Sequence, residues 1–300
     1  MDLEQPQLAG GIFNVNKPRG MTSHAVVNVV RRASGQKRVG HAGALDPLAT
    51  GVLIVCLGWA TRLSEYLMAG DKRYRAVVHL GVSTDTYDAD GKVTATADAA
   101  GITLAQVAAA LQAFHGPIEQ TPPMYAALKR GGKPLYRLAR QGKMVERASR
   151  TVYIHEVSIT DWAPPFVTLD ILCSKGTYIR ALAHDLGEAL GCGAHLAALT
   201  RLASGPFRLE QAVSLDDLAV AFREGRAAMF LYPLAEALAD FDMIAMDGAA
   251  AGRIRSGQAV QGPAAQPGAL AMAVSPAGEP LAVVRCESPD GRWQPIKVLA

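Results

Sequence analysis

The sequence predicts an α+β fold, with a central and mostly antiparallel sheet flanked by helices and a small β-rich module at the C-terminal end. Three observations carry this expectation. Strand-like segments that alternate apolar and polar residues are interleaved with capped stretches of helical period. A length of 300 residues suits two domains, or one large domain with an appendage. After Pro233 the chain runs through "AEALADF", and from about Met243 the texture changes to short glycine-punctuated strands, which places one domain over residues 1–240 and a second over 243–300.

The elements follow in order. "GIFNVNKPRGMTSHAVVNVVRRASG" reads as a strand, a Lys-Pro-Arg-Gly turn, then a helix capped by Thr22 or Ser23 and stopped near Gly35. Val26, Val27, Val29 and Val30 give that helix a broad buried face. "KRYRAVVHLG" alternates, so Tyr74, Ala76, Val78 and Leu80 face the core, with Arg73, Arg75 and His79 largely opposite. "STDTYDADGK" carries Asp85, Asp88 and Asp90 but lacks the regular Asp spacing and distal Glu of a calcium loop, so a solvated hairpin turn is expected. A helix starts at Thr103, two adjacent strands cover "RTVYIHEVSIT" and "PFVTLDILCSKG", and a further helix follows in "YIRALAHDLGEAL". Beyond Met243, a small helix and strands such as "ALAMAVS", "PLAVVRC" and "WQPIKVLA" form the β-rich module.

Composition excludes several classes. Half the residues are hydrophobic, yet the apolar run Gly51–Leu57 is far too short to span a bilayer, and the acidic start "MDLEQPQLAG" is unlike a signal peptide. A soluble cytoplasmic protein is therefore expected. Cys56, Cys173, Cys192 and Cys286 are scattered without zinc-site spacing and read as reduced thiols, so no metal is expected. The net charge of +3 says little by itself, and its location says more. From residue 121 to 150 the chain carries Lys129, Arg130, Lys133, Arg137, Arg140, Lys143, Arg147 and Arg150 against the single acid Glu146. Lys133, Arg137 and Arg140 are spaced to share one helical face. A charge run is ordinarily a solvated surface, but one with so few acids, framed by glycine and proline, also suits an arm that closes on a polyanion.

Two residues stand out of character. Asp46 lies in "VGHAGALDPLATGVLIVCLG", where glycines and a proline crowd around one carboxylate at the edge of an apolar run. Pro47 biases it towards extended backbone, and Gly43 and Gly51 permit close approach of other groups. For a lone Asp-Pro pair, a turn or cap is the ordinary reading. Arg180 falls in the first turn of its helix, where the macrodipole disfavours a cation by roughly 0.3–1 kcal/mol. Such a cation needs an anion: Asp185 or another surface acid nearby, or a partner within a cleft.

Taken together and in this order, "NKPRGMTS", "GHAGALDPLATG", "KRYRAVVHLG" and "CSKGTYIRALAHDLG" resemble the TruB-type tRNA pseudouridine-55 synthases over residues 11 to about 205. The C-terminal module is similar, more weakly, to the PUA-like RNA-binding domain of bacterial members. The resemblance implies a pseudouridine-synthase fold and the isomerisation of one T-loop uridine of tRNA, in which the N1 to C1' bond is exchanged for a C5 to C1' bond. It implies no cofactor, in keeping with the absence of a phosphate-binding or dinucleotide motif.

Asp46 matches the family's catalytic aspartate, Tyr74 its active-site tyrosine, Arg180 the arginine that pairs with the carboxylate and would keep it ionised, and Tyr178 a pocket position. His41 corresponds to the histidine that helps displace T-loop bases, since the uridine must leave its stack before reacting. Lys17 is carried over as a lining residue. The basic segment, with Lys129, Arg130, Lys133, Arg137, Arg140 and Lys143, matches an insertion that closes over tRNA. The implied partner is the T-loop and T-arm of tRNA. No guide RNA or protein partner is expected, because the insertion supplies its own grip, and a monomer is the default. A non-catalytic tRNA-binding or RNA-folding protein, and a member directed by a separate RNA, are the alternatives.

Overall fold

The computed structural model describes residues 8–123, 129–130, 133–134 and 147–299. Its elements in chain order are β1 (Gly10–Lys17), α1 (Ser23–Ser34), β2 (Val39–Ala42), β3 (Thr50–Gly58), α2 (Ser64–Leu67), β4 (Lys72–Leu80), β5 (Val82–Thr84), β6 (Val93–Thr96) and α3 (Leu104–Leu111). There follow β7 (Gly116–Gln120), β8 (Lys129–Arg130), β9 (Lys133–Pro134), β10 (Arg150–Ala163), β11 (Phe166–Cys173), α4 (Ile179–Ala189), β12 (Ala194–Ser204), β13 (Phe207–Arg208), β14 (Val213–Ser214), α5 (Leu215–Arg223) and α6 (Leu234–Ala237). The C-terminal part adds β15 (Asp242–Ala245), α7 (Gly248–Arg255), β16 (Val260–Gln261), β17 (Leu270–Val274), β18 (Pro280–Ser288) and β19 (Arg292–Val298).

Ten of these strands form one sheet in the order β14-β1-β3-β12-β4-β11-β10-β7, with β2 beside β3 and β13 beside β12. Its pairings are antiparallel except β1 with β14 and β3 with β12. The contact between β3 and β12 is brief, pairing only Thr50 with Thr200 and Gly51 with Arg201. The loop that enters β3 is thereby set at the middle of the sheet, where a cleft can open beside it.

Both faces of β1 and β3 are covered, which is why "GVLIVCLG" is apolar without alternation. Phe13, Leu53, Val55 and Leu57 pack against Val26, Val27 and Val30 of α1 and Leu215 and Leu218 of α5. On the other face, Ile12, Ile54 and Cys56 share a core with Met272 and Val283 of the C-terminal sheet and with Leu299 just past its last strand. That second sheet runs β15-β17-β18-β19-β16 and closes its own core around Ile254, Val284 and Trp293. Helix α1 is capped by Thr22, whose Oγ1 accepts from the Ala25 amide, and ends at Gly35 in the left-handed region. Helix α3 starts with a reciprocal capping box between Thr103 and Gln106. All four cysteines are free and buried.

Two expectations need correction. Lys133 does not continue a helix: its backbone pairs with Arg130 in the small β8–β9 hairpin. Gly131-Gly132 between the strands is the composition a two-residue hairpin loop favours, and Pro134 lacks the amide a helix interior would use. Arg137, Arg140 and Lys143 lie outside the described residues, as do the side chains of Lys129, Arg130 and Lys133. The Asp-rich turn does connect the hairpin β5–β6, but it is not simply solvated, because Asp88 is only 4% exposed. An unpaired buried carboxylate would be costly, and its partner is Arg180.

Candidate active site

Asp46 sits in the loop from Gly43 to Ala49, between β2 and β3, and four neighbours hold that loop. Ser23, freed from capping by Thr22, binds both main-chain groups of Leu45: its Oγ accepts from the amide at 2.8 Å and donates to the carbonyl at 3.1 Å. The Gly20 amide donates to the Pro47 carbonyl at 2.8 Å. Lys17, fully buried, donates from Nζ to the carbonyls of Pro18 (2.9 Å), Met21 (2.6 Å) and Pro47 (3.4 Å). Arg201 on β12, 2% exposed, reaches the carbonyls of Gly43 (3.1 Å), Ala44 (3.4 Å) and Val52 (2.6 Å). Leu45, Leu48 and Ala49 anchor the loop in the core beneath β4 and α4. Gly51, at φ +98°, passes so close to β12 that a Cβ would lie 2.3 Å from the Arg201 carbonyl oxygen.

The Asp46 carboxylate meets Arg180 at the start of α4. Arg180 Nε lies 3.0 Å from Oδ2, and Nη2 donates to Oδ1 at 3.1 Å. From the same guanidinium, Nη1 donates to Asp88 Oδ2 at 3.1 Å and to the Thr86 carbonyl at 3.3 Å. Two carboxylates therefore account for a cation placed against the helix dipole, and neither of them is Asp185. Asp88 is itself held at Oδ1 by the Thr86 hydroxyl at 2.6 Å and the Asp90 amide at 3.1 Å.

A cleft of about 480 Å³ opens over this pair, enough for one nucleoside. Asp46, Tyr74, Tyr178, Arg180 and Arg201 line it, as do Lys72, Arg150 and Lys175. Tyr74 projects from β4, paired in register with Arg201. Tyr178 is the residue before α4, and its main chain is gripped by the buried Gln120: the Tyr178 amide donates to Oε1 at 2.7 Å and Nε2 donates to the Tyr178 carbonyl at 2.9 Å. Arg150 lies 4.6 Å from the centre of the Tyr178 ring, a cation–π arrangement.

Electrostatics follow from this enclosure. Burial pushes the Asp46 carboxyl above the ordinary carboxylate range; Arg180 pulls it back, and Asp88 adds to the rise. Pairing with Arg180 is thus opposed by desolvation, which outweighs it. Burial also raises the Tyr74 and Tyr178 phenols, opposed by Arg201 and Arg150 respectively, so both enter neutral chemistry protonated. Burial lowers the Lys17 ammonium to about 8, against the pull of Asp46. His41 is lowered by burial, then by Arg201 and His24.

The sequence-selected residues therefore divide. Asp46, Tyr74, Tyr178 and Arg180 converge on one cleft. Lys17 does not line it but braces the loop from behind. His41, on β2 opposite Val55, is half-buried beside that loop, and its Nδ1 is buried without a hydrogen-bond partner. Asp88, Arg201, Gln120 and Ser23 were missed. Only Asp88 had a usable signal, an acid-rich turn in a chain whose Arg180 needed an anion. The arrangement offers a carboxylate, two aromatic faces with polar tips, and several cationic side chains in the lining. No group of three or more potential metal ligands occurs among the described residues, and none of their helices is long and apolar enough to cross a membrane.

Comparison with known proteins shows the family and the fold. The family described as "TruB family pseudouridylate synthase (N terminal domain)" matches residues 31–179, and "tRNA pseudouridylate synthase B C-terminal domain" matches residues 180–243. The chain is 53% identical over 252 residues to tRNA pseudouridine synthase B of Symbiobacterium thermophilum, covering 83% of this chain and 82% of that one. It is 45% identical to the protein of the same name from Dehalococcoides mccartyi, covering 96% of each. In solved structures it resembles a chain of the archaeal box H/ACA sRNP Nop10–Cbf5 complex, with a TM-score of 0.73, 26% identity and coverage of 98% and 87%. Fold and sequence agree: the chain belongs to the TruB family of pseudouridylate synthases and has the pseudouridine-synthase fold.

Proposed function

We propose that this protein isomerises the T-loop uridine of tRNA to pseudouridine, with Asp46 as the nucleophile and no cofactor. The observation that carries the reading is the Asp46–Arg180 pair at the base of a nucleoside-sized cleft with tyrosines in its wall. In the reaction the N1–C1' bond breaks, the base turns, and C5 bonds to C1' while a proton leaves C5 and one is gained at N1. Atoms and electrons balance without a redox partner. Arg180 fixes both oxygens of Asp46 in place, yet each keeps a lone pair for the substrate. Tyr74 offers a face for the freed base and a neutral phenol for proton transfer. His41, beside the loop, is suited to fill space that the extruded base vacates.

The same reading assigns the remaining parts. Residues 1–240 form the catalytic domain, and the cationic segment at 121–150 grips the RNA backbone around the loop. The sheet of residues 242–298 serves as a PUA-like RNA-binding module. The protein acts as a monomer in the cytoplasm without a guide RNA. Incubating the purified protein with an unmodified tRNA transcript and mapping pseudouridine tests this. Wild type gives product in the T-loop with no other RNA present, and Asp46→Asn binds the transcript but gives none. Product that requires an added RNA favours the guided alternative, and absence of product from wild type defeats the assignment.

A further inference from the structure

We infer that His184 and Tyr87 form a stacked clamp that positions Asp88, and through it Arg180, for the reaction proposed above. The inference rests on that reading but concerns residues outside the cleft. Tyr87 is the one non-glycine residue with positive φ among the described residues, at +64°. Left-handed backbone costs energy for a side chain of this size, so something must hold it there. Its ring lies on the imidazole of His184, with centroids 3.9 Å apart and planes 5° from parallel. Its carbonyl accepts from the Leu196 amide at 3.0 Å, and the Ala89 amide donates back to Leu196 at 3.0 Å.

The helix supplies the logic. Arg180 and His184 are four residues apart on α4, so they share a face one turn apart. Consecutive residues of the acid-rich turn meet them: Tyr87 on His184, Asp88 on Arg180. The left-handed kink at Tyr87 turns the next residue inward, which is how a carboxylate from a hairpin loop becomes buried beside α4. Backbone strain is thus held beside the site, where the stack keeps it in place. His184 touches neither the cleft nor Asp46 and is a positioning residue. A flat ring is all that the stack requires of it, and its Nδ1 is buried without a hydrogen-bond partner among the described residues.

The test uses the full chain and unmodified tRNA transcript, with kcat and KM measured per folded protein. His184→Ala is expected to lower kcat by about three- to tenfold with KM within about twofold of wild type, and His184→Phe to restore kcat to within about twofold. In an Asp88→Ala background, His184→Ala is expected to add less than about twofold, since the group being positioned is gone. The inference is overturned if His184→Ala changes melting temperature alone, if Phe fails to rescue a folded variant, or if the two substitutions multiply. A wild-type protein that makes no pseudouridine would instead overturn the proposed function.

Discussion

Arg180 divides one guanidinium between two carboxylates, Asp46 in the cleft at 3.0 and 3.1 Å and Asp88 behind it at 3.1 Å. A planar fork can serve both at once, and a point charge cannot. Arg180→Lys is therefore expected to lower kcat on the order of 10²-fold, since misplacement of a reacting group by about 1 Å costs that much. Binding of tRNA, which rests on many other contacts, should change little. Single-turnover rates beside filter-binding isotherms will separate the two effects.

The acid limb of the rate profile is expected above the ordinary carboxylate value of 3.8, because burial raises Asp46 and the reaction needs it ionised. The sign is fixed by the charge: as pH falls, the proton neutralises the nucleophile and the rate drops. Asp88 contributes to the rise, so Asp88→Asn, which keeps an acceptor for Arg180 but loses the charge, should move the limb to lower pH. Single-turnover rates across a pH series give the direct comparison, and a shift to higher pH would contradict it.

Lys17 is predicted to act on stability and loop placement. Lys17→Met takes their side-chain donor from the Pro18 and Met21 carbonyls and leaves the Pro47 carbonyl with the Gly20 amide alone, at a cost of roughly 1–3 kcal/mol. The difference should also depend on pH. In the folded protein Lys17 deprotonates near pH 8, against 10.5 ordinarily, so between those values the unfolded chain binds more protons and wild type gains stability as pH rises. Denaturant unfolding of both proteins from pH 7 to 10.5 should show wild type gaining on the variant across this window.

The cationic segment gives a prediction in salt. Replacing Arg137 and Arg140 with Ala should weaken tRNA binding and make log Kd less steep against log salt, by up to about 0.7 per lost phosphate contact to a single strand. Isotherms with an unchanged slope would remove these two residues from the interface.

Much of the fold was legible because local chemistry and tertiary need coincide. Thr22 and Gly35 bracket α1, the alternation in "KRYRAVVHLG" puts Tyr74 inward, and the apolar run of β3 announces a strand covered on both faces. Within the site, Arg180 was visible as a cation in the wrong place. Its second acid was not, because Asp88 lies in a turn whose composition says solvent and is buried only through contacts with α4 and β12. Arg201 and Gln120 give no local sign at all: each is a polar residue on a strand, and its importance comes from main-chain groups more than fifty residues away in sequence. Lys133 misled because a basic residue at helical spacing does not itself make a helix.

The core shared by the two sheets has a practical consequence. Met272, Val283 and Leu299 cover Ile12, Ile54 and Leu63, and on the rim Lys297 pairs with Glu65 while Arg62 donates to the Val298 carbonyl. The C-terminal sheet is consequently not a bead on a string. A chain shortened at residue 240 would uncover the underside of β1 and β3, and the product would be an aggregation-prone remnant rather than a smaller working enzyme.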